Sequence, residues 1–91
     1  MSFIVIVAPT GARWAHEAEA ALAGHRVVIA RLFNPSTLGS LVNTGGVRAI
    51  AIDGGLSRTH PTALRALAST RFVAIDTWSD VALRELLGDP P

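Results

Sequence analysis

At 91 residues, 49% hydrophobic and 5% aromatic, the chain is sized for one domain whose small core is built from Ala, Val, Ile and Leu, and it is too apolar for disorder. A formal charge of +1 supplies no field for nucleic acid or an acidic membrane, and the absence of cysteine excludes disulfides, thiolate catalysis and cysteine metal sites. All 8 basic residues are arginine, so no lysine is available to form a Schiff base or to hold a phosphate as an ammonium.

Phe3-Ile4-Val5-Ile6-Val7-Ala8 is a continuous, largely β-branched run. Continuous rather than alternating apolarity predicts a strand buried on both faces, as in a parallel sheet. The run is far too short to span a membrane and carries no signal-peptide cleavage pattern, so a soluble, cytoplasmic protein is expected. Pro9-Thr10-Gly11 breaks it. Residues 11–23 then read as a helix, with Trp14, Ala15, Ala18, Ala21 and Leu22 on one stripe and Arg13, Glu17 and Glu19 largely outside it. Gly24 is a good terminator.

Arg26 to Ala30 reads as the second strand, running on to Phe33. Asn34-Pro35 opens a weak helix over residues 36–43, which contains Gly39, Ser40 and Asn43 and is held to the sheet by Leu38, Leu41 and Val42. Gly45-Gly46 ends it. Val47 to Ile52 is the third strand, followed by a long loop from Gly54 to His60. Pro61 starts a third helix, residues 61–69. Arg71 to Ile75 is the fourth strand. Thr77 and Asp80 form a capping-box pattern for a last helix over residues 78–87, stopped by Gly88 and Pro90-Pro91.

The second half of the chain repeats itself. Ala51-Ile52-Asp53 and Ala74-Ile75-Asp76 each close an apolar run with an aspartate, and each precedes the same helix text, Ala63-Leu64-Arg65-Ala66-Leu67 and Ala82-Leu83-Arg84-Glu85-Leu86. The whole chain is therefore βαβαβαβα. Right-handed crossovers predict an α/β fold: one four-stranded parallel sheet in the flavodoxin-like (Rossmann-like) order 2-1-3-4 with helices on both faces. One domain, residues 1–88, and a short tail, 89–91, are expected.

That order gathers Thr10-Gly11, Asp53 and Asp76-Thr77 along the rim where parallel sheets bind ligands, with Arg13, Arg58 and His60 within reach. The connection after the third strand exceeds its repeat counterpart: Asp53 to Leu64 is eleven steps, Asp76 to Leu83 seven. Insertions on this side carry function. Asp53 and Asp76 could hold a divalent cation, but two carboxylates alone are a weak signal, and each more simply caps a helix or pairs with Arg58 or Arg13. Thr10-Gly11 with Arg13 could hold a small anion; a tight turn with a Thr cap is the simpler reading, and the three-glycine dinucleotide fingerprint is missing. His60 beside Asp53 suggests a proton-transfer pair, yet only Ser57 stands nearby as a nucleophile; His60 reads more simply as an exposed residue at a helix start. No catalytic residue, metal site or cofactor is assigned.

On strand order, on Asp53 ending the third strand and on Thr77 just beyond the fourth, the chain resembles a response-regulator receiver domain over residues 3–87. In that family the aspartate accepts a phosphoryl group, an acidic pair after the first strand helps hold Mg²⁺, and a lysine ends a fifth strand. Here Ala8-Pro9 stands where the acidic pair would be, there is no lysine, and no fifth strand is expected from these 91 residues. The resemblance therefore implies a degenerate, receiver-like regulatory domain without phosphotransfer. The fourth strand becomes a sheet edge, and such edges invite pairing. Phe72, Val73, Ile75 and Trp78 are the expected interface, and a homo-oligomer or a larger protein is the expected partner. The alternative is a domain, or the half-site of an oligomeric enzyme, that binds a small anionic ligand such as phosphate or a nucleotide through Thr10, Gly11, Arg13, Asp53, Arg58, His60 and Asp76.

Overall fold

The computed structural model describes residues 3–31, 36, 39–40, 43, 45–59 and 70–88. Four strands, β1 (Phe3–Val7), β2 (Val27–Ala30), β3 (Val47–Asp53) and β4 (Arg71–Ile75), form one sheet in the order β2-β1-β3-β4, every pair parallel. The register sets Val5 between Val28 and Ile50, and Ile50 beside Phe72. Ile4 to Val7 and Ala49 to Ile52 are buried on both faces, which is why the sequence of the two central strands is apolar without alternation. β2 closes at Ala30 and Arg31 is a bend, so the strand is shorter than expected; Leu32 and Phe33 lie outside the described residues.

Three helices are defined among the described residues: α1 (Arg13–Ala21), α2 (Gly54–Thr59) and α3 (Asp80–Leu87). Ser36, Gly39, Ser40 and Asn43 have helical backbone, in keeping with the weak helix expected over 36–43. The helix expected over 61–69 lies outside the described residues.

The sheet divides the core into two layers. On one face Ile4, Ile6, Ala49, Ala51, Val73 and Ile75 meet Trp14, Ala15 and Ala18 of α1 and Ala82 and Leu86 of α3. On the other, Val5, Val7, Ile50 and Ile52 are fully buried, with Leu56 of α2 and Phe72 against them. Helical material therefore lies on both faces.

The helix ends depart from expectation in instructive ways. The cap of α1 is Ala12, with no side-chain bond; Ala12 N–H donates to Pro9 O at 3.0 Å, so Thr10 is a turn residue and not a cap. Ala21 is exposed, since α1 ends there and Leu22 takes the buried place at its cap. The chain leaves α1 through Gly24 at φ +95°, a conformation costly to any residue with a β-carbon. At α3 the cap is Ser79 rather than Thr77: its Oγ accepts from Ala82 N–H at 3.3 Å, and Asp80 is the first helical residue, where its charge suits the helix dipole. Arg48 Nη2 donates to Leu87 O at 3.1 Å and satisfies the other end. Ser79→Ala is expected to cost about 1 kcal/mol, seen as a lower urea midpoint at an unchanged slope; an unmoved midpoint would show that the hydroxyl contributes nothing.

Candidate functional site

The expected rim exists at the carboxyl ends of β1, β3 and β4, and its carboxylates are already engaged by the protein itself. Asp53 ends β3 half-buried. Its Oδ1 accepts from the indole Nε1–H of Trp14 at 2.9 Å, and its Oδ2 accepts from Gly55 N–H at 3.1 Å. Trp14 is 4% exposed, and a buried indole N–H needs such a partner. One carboxylate thus joins the first turn of α1, the end of β3 and the start of α2.

The segment after Asp53 is helix, not the long loop expected from its glycines. Asp53 supplies the capping oxygen for the second residue of α2, so the strand passes into helix with no intervening loop. Thr59 Oγ1 donates back to Gly55 O at 3.1 Å and closes the other end. Gly54 is buried where a β-carbon would overlap the carboxylate of the exposed Asp76, which would have to swing aside.

Asp76, just past β4, pairs with Arg58 of α2: Nη1 to Oδ1 is 3.4 Å, with both side chains 69% exposed. An open pair of this kind is worth about 0–1 kcal/mol. It links the two halves of the repeat but leaves both groups largely in water.

Thr10, Gly11 and Arg13 are exposed, and no hydrogen bond among the described residues joins them to Asp53 or Asp76. His60 lies outside the described residues, so its expected pairing with Asp53 does too. Among the described residues no group of three or more His, Cys, Asp or Glu could hold a metal ion. Arg31 Nη1, at the bend after β2, is buried without a hydrogen-bond partner among the described residues.

At the β4 edge, Val73 and Ile75 are 8% and 2% exposed and belong to the core beneath α1 and α3, because their alternation points them inward. Their side chains therefore present little surface. Trp78 is half-buried against the same core. What β4 offers outward is its backbone edge, with half-buried Phe72 and exposed Ala74 on the opposite face. Beside that edge lies a groove of ≈ 610 Å³ between Arg71–Val73 of β4 and Val81, Arg84 and Glu85 of α3, closed by Gly88. Val81 is 60% exposed there.

The groove and the Trp14–Asp53 bond are the two features the sequence reading missed. A signal for the groove was available in Val81, which stands off the Ala82–Leu86 stripe of its own helix. No signal for the bond was local, since its partners lie 39 residues apart.

No helix among the described residues is long and apolar enough to cross a membrane. Compared with known proteins, the chain matches no family model, and no curated protein or solved structure gives a significant match.

Proposed function

We propose that this is a receiver-like, non-enzymatic α/β domain that acts by docking onto protein through the free edge of β4. The observation that carries this reading is the contrast between the two ends of the site. At the rim, both oxygens of Asp53 accept hydrogen bonds from the domain's own backbone and indole, so the one carboxylate placed like a phosphoacceptor is used as a structural clasp. At the edge, β4 has a strand on one side only among the described residues, and a groove with an exposed valine runs along the other. An unpaired strand flanked by apolar surface is a template for another strand.

A photocrosslinking residue placed at Ala74 tests this directly. Ala74 is exposed on β4, and Glu17 on α1 serves as the control position. In cells that make the protein, adducts are expected from position 74 and not from position 17. No adduct from position 74 would overturn the reading.

A second reading, the binding of a small anion at the carboxyl ends of the strands, is favoured by one observation, the unpartnered Arg31 Nη1. Inorganic phosphate or a nucleotide that raises the melting temperature would support it, because a ligand held only by the folded form stabilises that form. The effect should vanish in Arg31→Ala.

A further inference from the structure

We infer that the occupant of the β4 edge is a second copy of the chain, joined antiparallel across a two-fold axis so that the two sheets become one of eight strands and α3 packs on its symmetry mate. This rests on the docking reading above and names the partner. Three features of the groove support it.

The first is shape. A two-fold interface brings each patch against itself, so the patch must be self-complementary. An antiparallel pair of α3 helices centred between Arg84 and Glu85 sets Val81 of one copy against Gly88 of the other and Arg84 against Glu85. These four are the α3-side residues of the groove, and they pair off without remainder. Val81 meets the Gly88 end of the partner helix, where the Arg71 guanidinium lies, and a cation meets a carboxylate. On the strand, antiparallel pairing centred on Val73 sets half-buried Phe72 against the exposed Ala74 of the second copy, on the face away from α3. Large meets small.

The second is that the strand and the helix agree on where the axis lies. The Arg71 guanidinium lies against Gly88, just past the end of α3, and α3 starts a few residues beyond the carboxyl end of β4. Asp80 to Gly88 rises about 12 Å at 1.5 Å per residue, and β4 from Arg71 to Ile75 extends about 13 Å at 3.3 Å per residue. With lengths this close, and with Gly88 within reach of the Arg71 side chain, the middle of α3 falls near the middle of β4. Helix and strand share one centre, as a single axis requires.

The third is spacing and charge. α3 packs over both β3 and β4. With strands about 4.8 Å apart, the two α3 axes come about 10 Å apart, the distance at which helices pack. The same axis brings Arg71 to the level of the second copy's Asp80, so both cations that border the groove, Arg71 and Arg84, face acids. An unrelated strand would need an acidic flank and a small residue at matching places; a second copy carries both.

Light scattering across a concentration series, with hydrogen exchange of the β4 amides, tests the inference. The wild-type mass is expected to approach twice the 9.5 kDa of the protomer, with amides 71–75 becoming protected as the dimer forms. R84E and E85R each place like charges across the axis. Each is expected to weaken the dimer about tenfold or more. An equimolar mixture of R84E and E85R should restore association as a heterodimer, and so should the double variant R84E/E85R. Both positions are exposed, so the fold is retained. A monomer at every concentration, or a dimer indifferent to both charge variants and to β4 protection, overturns the inference. The docking reading fails separately: crosslinks from position 74 to a protein of another mass would leave the edge as a docking surface and remove the second copy, whereas no crosslink at all would remove both.

Discussion

Replacing Leu86 with alanine is expected to lower the unfolding free energy by about 2–5 kcal/mol, the range for truncating a fully buried leucine. Leu86 is 0% exposed and packs, with Ala82, onto Val73 and Ile75. α3 has eight residues, and a helix that short does not hold itself together in water. Its order comes from the sheet, and Leu86 is its deepest anchor. A domain of this length buries only roughly 60–65% of its unfolded surface, and total stabilities are of order 5–15 kcal/mol, so the loss removes a large part of the margin. The melting temperature should fall by about 8–40 °C at 4–8 °C per kcal/mol. Urea unfolding at matched protein concentration is the check. A loss below about 1 kcal/mol, well under the usual range, would mean that α3 is not part of the cooperative core. The edge groove would then lose one of its walls as a fixed surface.

The second large effect is expected at the clasp. Asp53→Ala removes the acceptor for a buried indole N–H and for a backbone N–H at once, and should cost about 2–3 kcal/mol, since an orphaned buried donor forfeits its full desolvation penalty. Asp53→Asn should be milder: its single carbonyl oxygen can serve one donor, while its amide opposes the other. Trp14→Phe removes the other partner, leaving the half-exposed carboxylate to Gly55 N–H and to solvent. The informative quantity is the coupling in the cycle of Trp14→Phe, Asp53→Ala and the double variant, expected at about 1–3 kcal/mol for residues in direct contact. The Trp14 indole proton should also move in the NMR spectrum of Asp53→Asn. Coupling indistinguishable from zero would release Asp53 from its structural role and return it to ligand chemistry, with intact mass after exposure to a small phosphodonor and Mg²⁺ as the next test.

These two expectations describe a rim that is closed and an edge that is open. In a doubly wound sheet the carboxyl ends are the usual place for a ligand. Here the residues with the right placement, Asp53 above all, are occupied in holding α1, β3 and α2 together. Asp76 and Arg58 remain in water as a weak pair. Among the described residues β2 and β4 are the sheet edges with unpaired backbone, and the groove lies beside β4.

What the sequence by itself determined is the sheet. Unbroken apolar runs at 3–8 and 49–52 can satisfy themselves only as strands covered on both faces, residues 72–75 add a third apolar run, and the strand–Asp–helix repeat after residue 50 leaves little choice but parallel connections. Core faces were legible wherever the helical period was clear, as for Trp14, Ala15 and Ala18. Local glycine chemistry was less so: Gly54-Gly55 reads as loop, because a flexible pair carries no helical preference, and the helix there is held by the Asp53 cap, the Thr59 bond and the packing of Leu56. The tertiary structure alone decided the rest. Whether Asp53 meets an arginine, a metal or an indole depends on which side chain the 2-1-3-4 order swings over the end of β3, and that partner lies 39 residues away. Whether Val73 and Ile75 form an interface or a core depends on which face α3 covers. A sequence carries the period of a strand; it does not carry the side on which its neighbours lie, because that is settled by packing between elements distant along the chain.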